Sequence, residues 1–127
     1  MVISVLQPGT WSRTMYTLLP KENIQLNATA YRFQGREYGN IPLSFFWVLT
    51  PPGKGPDMHV HPYKEIFVLL HGQATFTIGN ETLIIHAGNV VIVPANTPHQ
   101  FKNSGEEPLQ MLSMHPSEAV VQEFLDR

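Results

Sequence analysis

Residues 53–72 read GKGPDMHVHPYKEIFVLLHG and contain three side chains of the kind that binds a metal ion: His59, His61 and Glu65. His59 and His61 stand two apart on an extended segment, so their imidazoles leave the same face with Cα atoms about 6.7 Å apart and can converge on one ion. Pro62 interrupts that strand, and a hairpin at Pro62-Tyr63-Lys64 would return Glu65, which opens the next strand, toward the two histidines. Residues 88–103 read GNVVIVPANTPHQFKN, where an apolar strand ends in a Pro- and Asn-rich turn and the chain re-enters with His99 and Phe101 on one face. His99 is thereby available as a fourth ligand. Three imidazoles and a carboxylate suit one divalent transition metal ion (Mn, Fe, Ni, Co, Cu or Zn) and are too rich in nitrogen for calcium or magnesium. Glu65 doubles as a candidate catalytic proton acceptor. Phe67 and Phe101 share strand parity with Glu65 and His99, which makes them candidate substrate-binding residues. Lys64 has the opposite parity and should face outward, while His71, His86 and His115 lie outside the pattern and read as surface or capping residues.

The elements that must hold these groups are short strands. Eleven prolines and nine glycines leave apolar or alternating runs of five to eight residues, the layout of an all-β sandwich or barrel. Strands are expected over residues 28–34, 43–50, 59–60, 65–70, 74–78, 82–86, 89–93, 99–102 and 109–114. The clearest of them are ATFTI and ETLII, joined by Gly79-Asn80 in the manner of a two-residue hairpin, with Ala74, Phe76 and Ile78 on one face. The continuous apolar runs IFVLL and VVIV suggest strands covered on both faces, by a second sheet or by a partner subunit. One short helix is expected after Pro116, with Ser117 as its N-cap and Val121, Phe124 and Leu125 on one face. The stretch from Gly35 to Asn40 reads as a connecting turn.

The first segment carries Gly53, His59, His61, Glu65 and Gly72 in the pattern G-x5-H-x-H-x3-E-x6-G. The second carries Gly88, Pro94, His99 and Asn103 in the pattern G-x5-P-x-G-x2-H-x3-N, with Asn96 in place of the second glycine. In these two motifs, and in the hairpin-bearing spacer between them, the chain resembles the cupins, by overall pattern the small single-domain, quercetinase- and germin-like ones. That resemblance implies one domain over residues 1–127, folded as a double-stranded β-helix, or jelly-roll barrel. It also implies His59, His61, Glu65 and His99 as the metal ligands, and frequent dimerisation. Asparagine at position 96 is a mild departure, because it is the residue after glycine most at ease with positive φ.

Composition narrows the partners. With 127 residues, 43% of them hydrophobic and 14% charged, one core is expected, and a net charge of -2 provides no basic field for nucleic acid. The absence of cysteine excludes thiolate ligands and is compatible with a reducing cytosol. The N-terminal MVISVLQPGTW lacks the layout of a secretory signal, and no apolar run approaches the roughly 20 residues of a membrane helix, so a soluble cytoplasmic protein is expected. Its partner should be a small molecule, and the run Val2 to Leu6 together with the doubly apolar strands points to a homodimer. The leading functional expectation is a metal-dependent, dioxygenase-like enzyme acting on a small, mostly apolar molecule. The alternatives are a metal-dependent sugar isomerase or epimerase, which would need cations inside the barrel, and a non-catalytic small-molecule binding module.

Overall fold

Alternation of apolar and polar residues builds the strands of the computed structural model, which describes residues 16–125. The run Val2 to Leu6 and the segment considered as a leader lie outside those residues. Two short 3-10 turns, Lys21–Ile24 and Gly35–Tyr38, accompany eleven strands among the described residues. These are β1 (Gln25–Asn27), β2 (Ala30–Gln34), β3 (Ser44–Thr50), β4 (His59–Val60), β5 (Glu65–His71), β6 (Gln73–Ile78), β7 (Glu81–His86), β8 (Val90–Val93), β9 (His99–Asn103), β10 (Leu109–His115) and β11 (Glu123–Phe124).

The strands form a sheet of six in the order β1-β2-β3-β10-β5-β8 and a sheet of five in the order β11-β4-β9-β6-β7. Their inner faces meet in one core, to which the larger sheet contributes Phe67, Leu69, Val93, Leu109 and Met111 and the smaller Ala74, Phe76, Ile85 and Phe101. The hairpin of β6 and β7 turns at Gly79-Asn80 as expected, with Gly79 at φ 59 and Asn80 not in the left-handed region, the pattern of a type II′ turn.

Two expectations about the architecture are corrected. The sheets are open and do not close into a jelly-roll barrel: among the described residues no strand ladder joins them, and they are held together by core packing and by isolated bonds such as Asn103 Nδ2–H to Thr50 O at 2.8 Å. The cause is local. The turn between β7 and β8 directs its backbone to β5 and the following Gly72, through Ala87 N–H to Gly72 O at 2.9 Å and Gly88 N–H to Leu69 O at 2.9 Å, so β7 and β8 part into different sheets. Strand β4 is only two residues long because Pro62 supplies no amide proton to extend it.

The C-terminal helix is also absent, since no helix of that length exists among the described residues and the segment ends in β11. Its backbone groups are taken one by one by distant partners. Arg36 N–H donates to Glu118 O at 2.9 Å, Val120 N–H to Gln34 Oε1 at 3.0 Å, and Leu125 N–H to Met58 O at 3.0 Å. Helical i to i−4 bonds would have to break each of these, so tertiary bonding overrides the amphipathic pattern.

Among the described residues the runs IFVLL and VVIV are covered on one face only. Phe67, Leu69 and Val93 point inward, whereas Ile66, Leu70, Val90 and Ile92 are exposed, the last two by 60% and 62%.

Candidate metal centre

The ligand candidates come from both sheets. The β4 to β9 register sets His59 directly opposite His99, and His61 is the first residue after β4. Glu65 opens β5 in the other sheet, opposite Val93. The left-handed turn at Asn96 (φ 59) brings the segment before β9 against this group, because Asn96 N–H donates to the His61 carbonyl at 2.7 Å. Asparagine therefore does here what the glycine of the motif would do.

His59, His61, Glu65 and His99 are all buried, and one ligating atom from each lies within 4.8 Å of those of the others. Hydrogen bonding fixes which atom that is. His59 Nδ1 donates to Asp57 O at 2.7 Å, His61 Nδ1 to Val121 O at 2.9 Å and His99 Nδ1 to Thr97 O at 2.9 Å. A carbonyl can only accept, so each Nδ1 carries a proton and each neutral ring turns the Nε2 lone pair inward. Glu65 Oε1 lies 2.7 Å from His99 Nε2 and 2.9 Å from His61 Nε2. His61 Nε2 is buried and, despite that proximity, is not aligned for a hydrogen bond. Converging lone pairs and an orphaned buried nitrogen are the arrangement that a divalent cation satisfies, so the donor set fits one transition metal ion.

Electrostatics favours the ligating forms. Burial, reinforced by the neighbouring His99 and His61, draws the His59 pKa down to about 4 against its bond to Asp57, so the ring is neutral at pH 7. Burial by itself would raise the Glu65 pKa, but its contacts with His115, His61 and His99 outweigh it and hold the carboxyl well below the usual carboxylate range.

The cluster opens on a cavity of about 580 Å³. His59 and Glu65 reach its wall, as do Phe67 and Phe101, so these two phenylalanines stand where strand parity put them. Phe46, Val48 and Met111 extend the apolar lining, and Lys54, exposed, is the one Lys or Arg among the described residues that line it.

One expectation fails at the centre itself. His71 and His86 are exposed, His71 pairing with Glu107 at 2.7 Å, but His115 is 1% exposed and packed against Glu65. Together with Ser113 and Tyr63 it forms a polar group that reasoning from the motifs missed. The signal was present in strand parity: Leu109, Met111, Ser113 and His115 share one face of β10, and all four are buried. Lys64 is exposed, as its parity required.

A cupin domain model matches residues 46–115, more than half of the chain, and the chain belongs to the cupin family. Auxin-binding protein 1 of Arabidopsis thaliana is 37% identical over 76 residues, 52% of this chain and 38% of that protein. An uncharacterised protein of Methanocaldococcus jannaschii is 30% identical over 76 residues, 59% of this chain and 61% of its own length. The chain thus spans less than two thirds of these relatives. Among solved structures, oxalate decarboxylase of Bacillus subtilis, studied for its Mn(II) centres, superposes with a TM-score of 0.72 at 24% identity, over 80% of this chain and 29% of that one. This likeness is one of fold. No helix among the described residues is long and apolar enough to cross a membrane.

Proposed function

We propose that the chain holds one divalent transition metal ion on His59, His61, Glu65 and His99 and acts as a metal-dependent enzyme on a small, mostly apolar molecule, with oxygenase chemistry the first to test. The observation that carries this reading is the position of the cluster: it is buried, yet two of its members, His59 and Glu65, form the wall of an apolar cavity large enough for such a molecule. When bound, the ion would supply Lewis acidity at that wall. Phe67 and Phe101 would hold the apolar body of the substrate beside the cluster and keep water from it. Manganese is the first metal to try, given the Mn(II) centres of the B. subtilis protein.

Glu65 has two candidate roles. A carboxylate held well below the usual carboxylate range suits a ligand and is a weak base, so we assign it the ligand role first. The comparison of Glu65→Gln with His99→Ala separates the two. If Glu65 only ligates, both variants lose turnover in proportion to lost metal. If it also accepts a proton, Glu65→Gln alone stays about 10² to 10⁴ slower after metal content is restored.

The isomerase reading is less well supported, because a sugar phosphate needs cations around it and Lys54 is the one Lys or Arg among the described residues that line the cavity. Oxygen uptake by the manganese- or iron-loaded protein on a panel of flavonoids, phenols and diketones tests the oxygenase reading. Failure of the whole panel removes it and leaves a binding module as the preferred reading.

A further inference from the structure

Four histidine rings surround Glu65, and one of them is wired in the opposite sense to the others. His115 Nδ1 faces the Tyr63 hydroxyl at 2.7 Å, and that oxygen already accepts the Val121 N–H at 3.1 Å. Tyr63 therefore has its own proton to donate to Nδ1. With Nδ1 accepting, the proton of the neutral ring is on Nε2, which lies 3.0 Å from Ser113 Oγ and 3.2 Å from Glu65 Oε2. Ser113 Oγ accepts from His115 and donates to the same Oε2. His59, His61 and His99 present lone pairs to the centre, whereas His115 presents a proton.

The two carboxylate oxygens are thereby sorted. Oε1 faces the imidazole nitrogens of His61 and His99, and Oε2 is occupied by Ser113 and His115. We propose that Tyr63, His115 and Ser113 are positioning residues, a relay of donors that fixes Glu65 as a monodentate ligand through Oε1 and withholds Oε2 from the ion. The inference rests on the metal-binding reading above and adds to it three residues that lie outside the ligand set. The relay begins at half-buried Tyr63, in the turn that carries the chain from His61 to Glu65, and it ends on Oε2, the carboxylate oxygen that does not face His61 and His99 Nε2. Its effect on the ion is indirect, through the orientation and the electron density of Glu65.

Mn(II) titration of the metal-free protein, followed by electron paramagnetic resonance, tests this on the wild type and on Ser113→Ala, Ser113→Thr and Tyr63→Phe. Ser113→Ala and Tyr63→Phe should weaken Mn(II) binding about 10- to 100-fold and alter the spectrum of the bound ion, whereas Ser113→Thr, which keeps the hydroxyl, should restore both. Thermal melts of the metal-free variants check that the fold is kept, and Tyr63→Phe is the informative change because it keeps the aromatic ring stacked on His61, with centroids 5.3 Å apart, and removes only the hydroxyl. A purely structural role would lower those melts and leave the affinity and spectrum of the folded protein unchanged. Affinities within about twofold of wild type for both Ser113→Ala and Tyr63→Phe would overturn the relay while leaving the metal centre intact. A wild type that takes up neither Mn(II) nor Zn(II) would overturn the metal reading and the relay together.

Discussion

Each imidazole at the centre is set by the partner of its far nitrogen: a carbonyl for His59, His61 and His99, a hydroxyl for His115. The consequence at the residue scale is a directional response to acid. His59 falls from 6.5 in the unfolded chain to about 4 when folded, so between those values the unfolded chain binds more protons. The metal-free protein should therefore have the full His59 contribution above pH 6.5 and lose it as pH falls toward 4, by on the order of 3 kcal/mol. Glu65, whose pKa is lowered on folding, adds a loss of the same sign below its unfolded value of 4.5. Urea midpoints at pH 7.5, 6 and 5 check this, and a midpoint that does not fall across the series would contradict it. Metal retention should weaken in the same range, since a protonated imidazole cannot ligate.

At the scale of elements, the turn before β9 links the two motifs, because Asn96 at φ 59 sends its N–H to the carbonyl of a candidate ligand, His61. Asn96→Gly should be nearly neutral, whereas Asn96→Val should cost about 1–2 kcal/mol and loosen the centre, as read by melting of the metal-free protein and by metal uptake. The ligand segments were legible in the sequence because their geometry is local: two residues apart on a strand, a proline, a return, and a second strand entered through an Asn-rich turn. Phe67 and Phe101 followed from the same parity. The C-terminal segment was misread because its fate rests on bonds to Gln34, Arg36 and Met58, which no local pattern announces. Sheet closure was misread for a related reason, since it depends on where the β7–β8 turn finds partners. His115 was legible in principle, two residues beyond Ser113 on a strand whose inward parity Leu109 and Met111 declare.

At the scale of the whole molecule, the outer face and edge of the larger sheet carry exposed Ile66, Leu70, Val90 and Ile92, and among the described residues β8 is an edge strand. We propose that a second copy of the chain covers this surface, as an uncapped apolar edge invites. Light scattering should give a dimer at micromolar concentration, and Ile92→Lys should shift it to monomer; a wild type that is monomeric throughout would refute this. The metal should bind to a chain that folds without it, because the core of Phe67, Phe76, Leu69, Leu109 and Met111 lies beside the cluster and does not need an ion to assemble. The most direct test of the account is elemental analysis joined to thermal melting of one preparation before and after chelation. At a free metal concentration of about 100 times the dissociation constant, binding contributes about 2.7 kcal/mol. For a domain of this size that is a rise of roughly 10 °C in melting temperature. The account predicts one transition metal ion per chain, that rise on adding the ion back, and loss of both in His99→Ala. A chain that retains no ion and melts identically with and without chelator at neutral pH would contradict it.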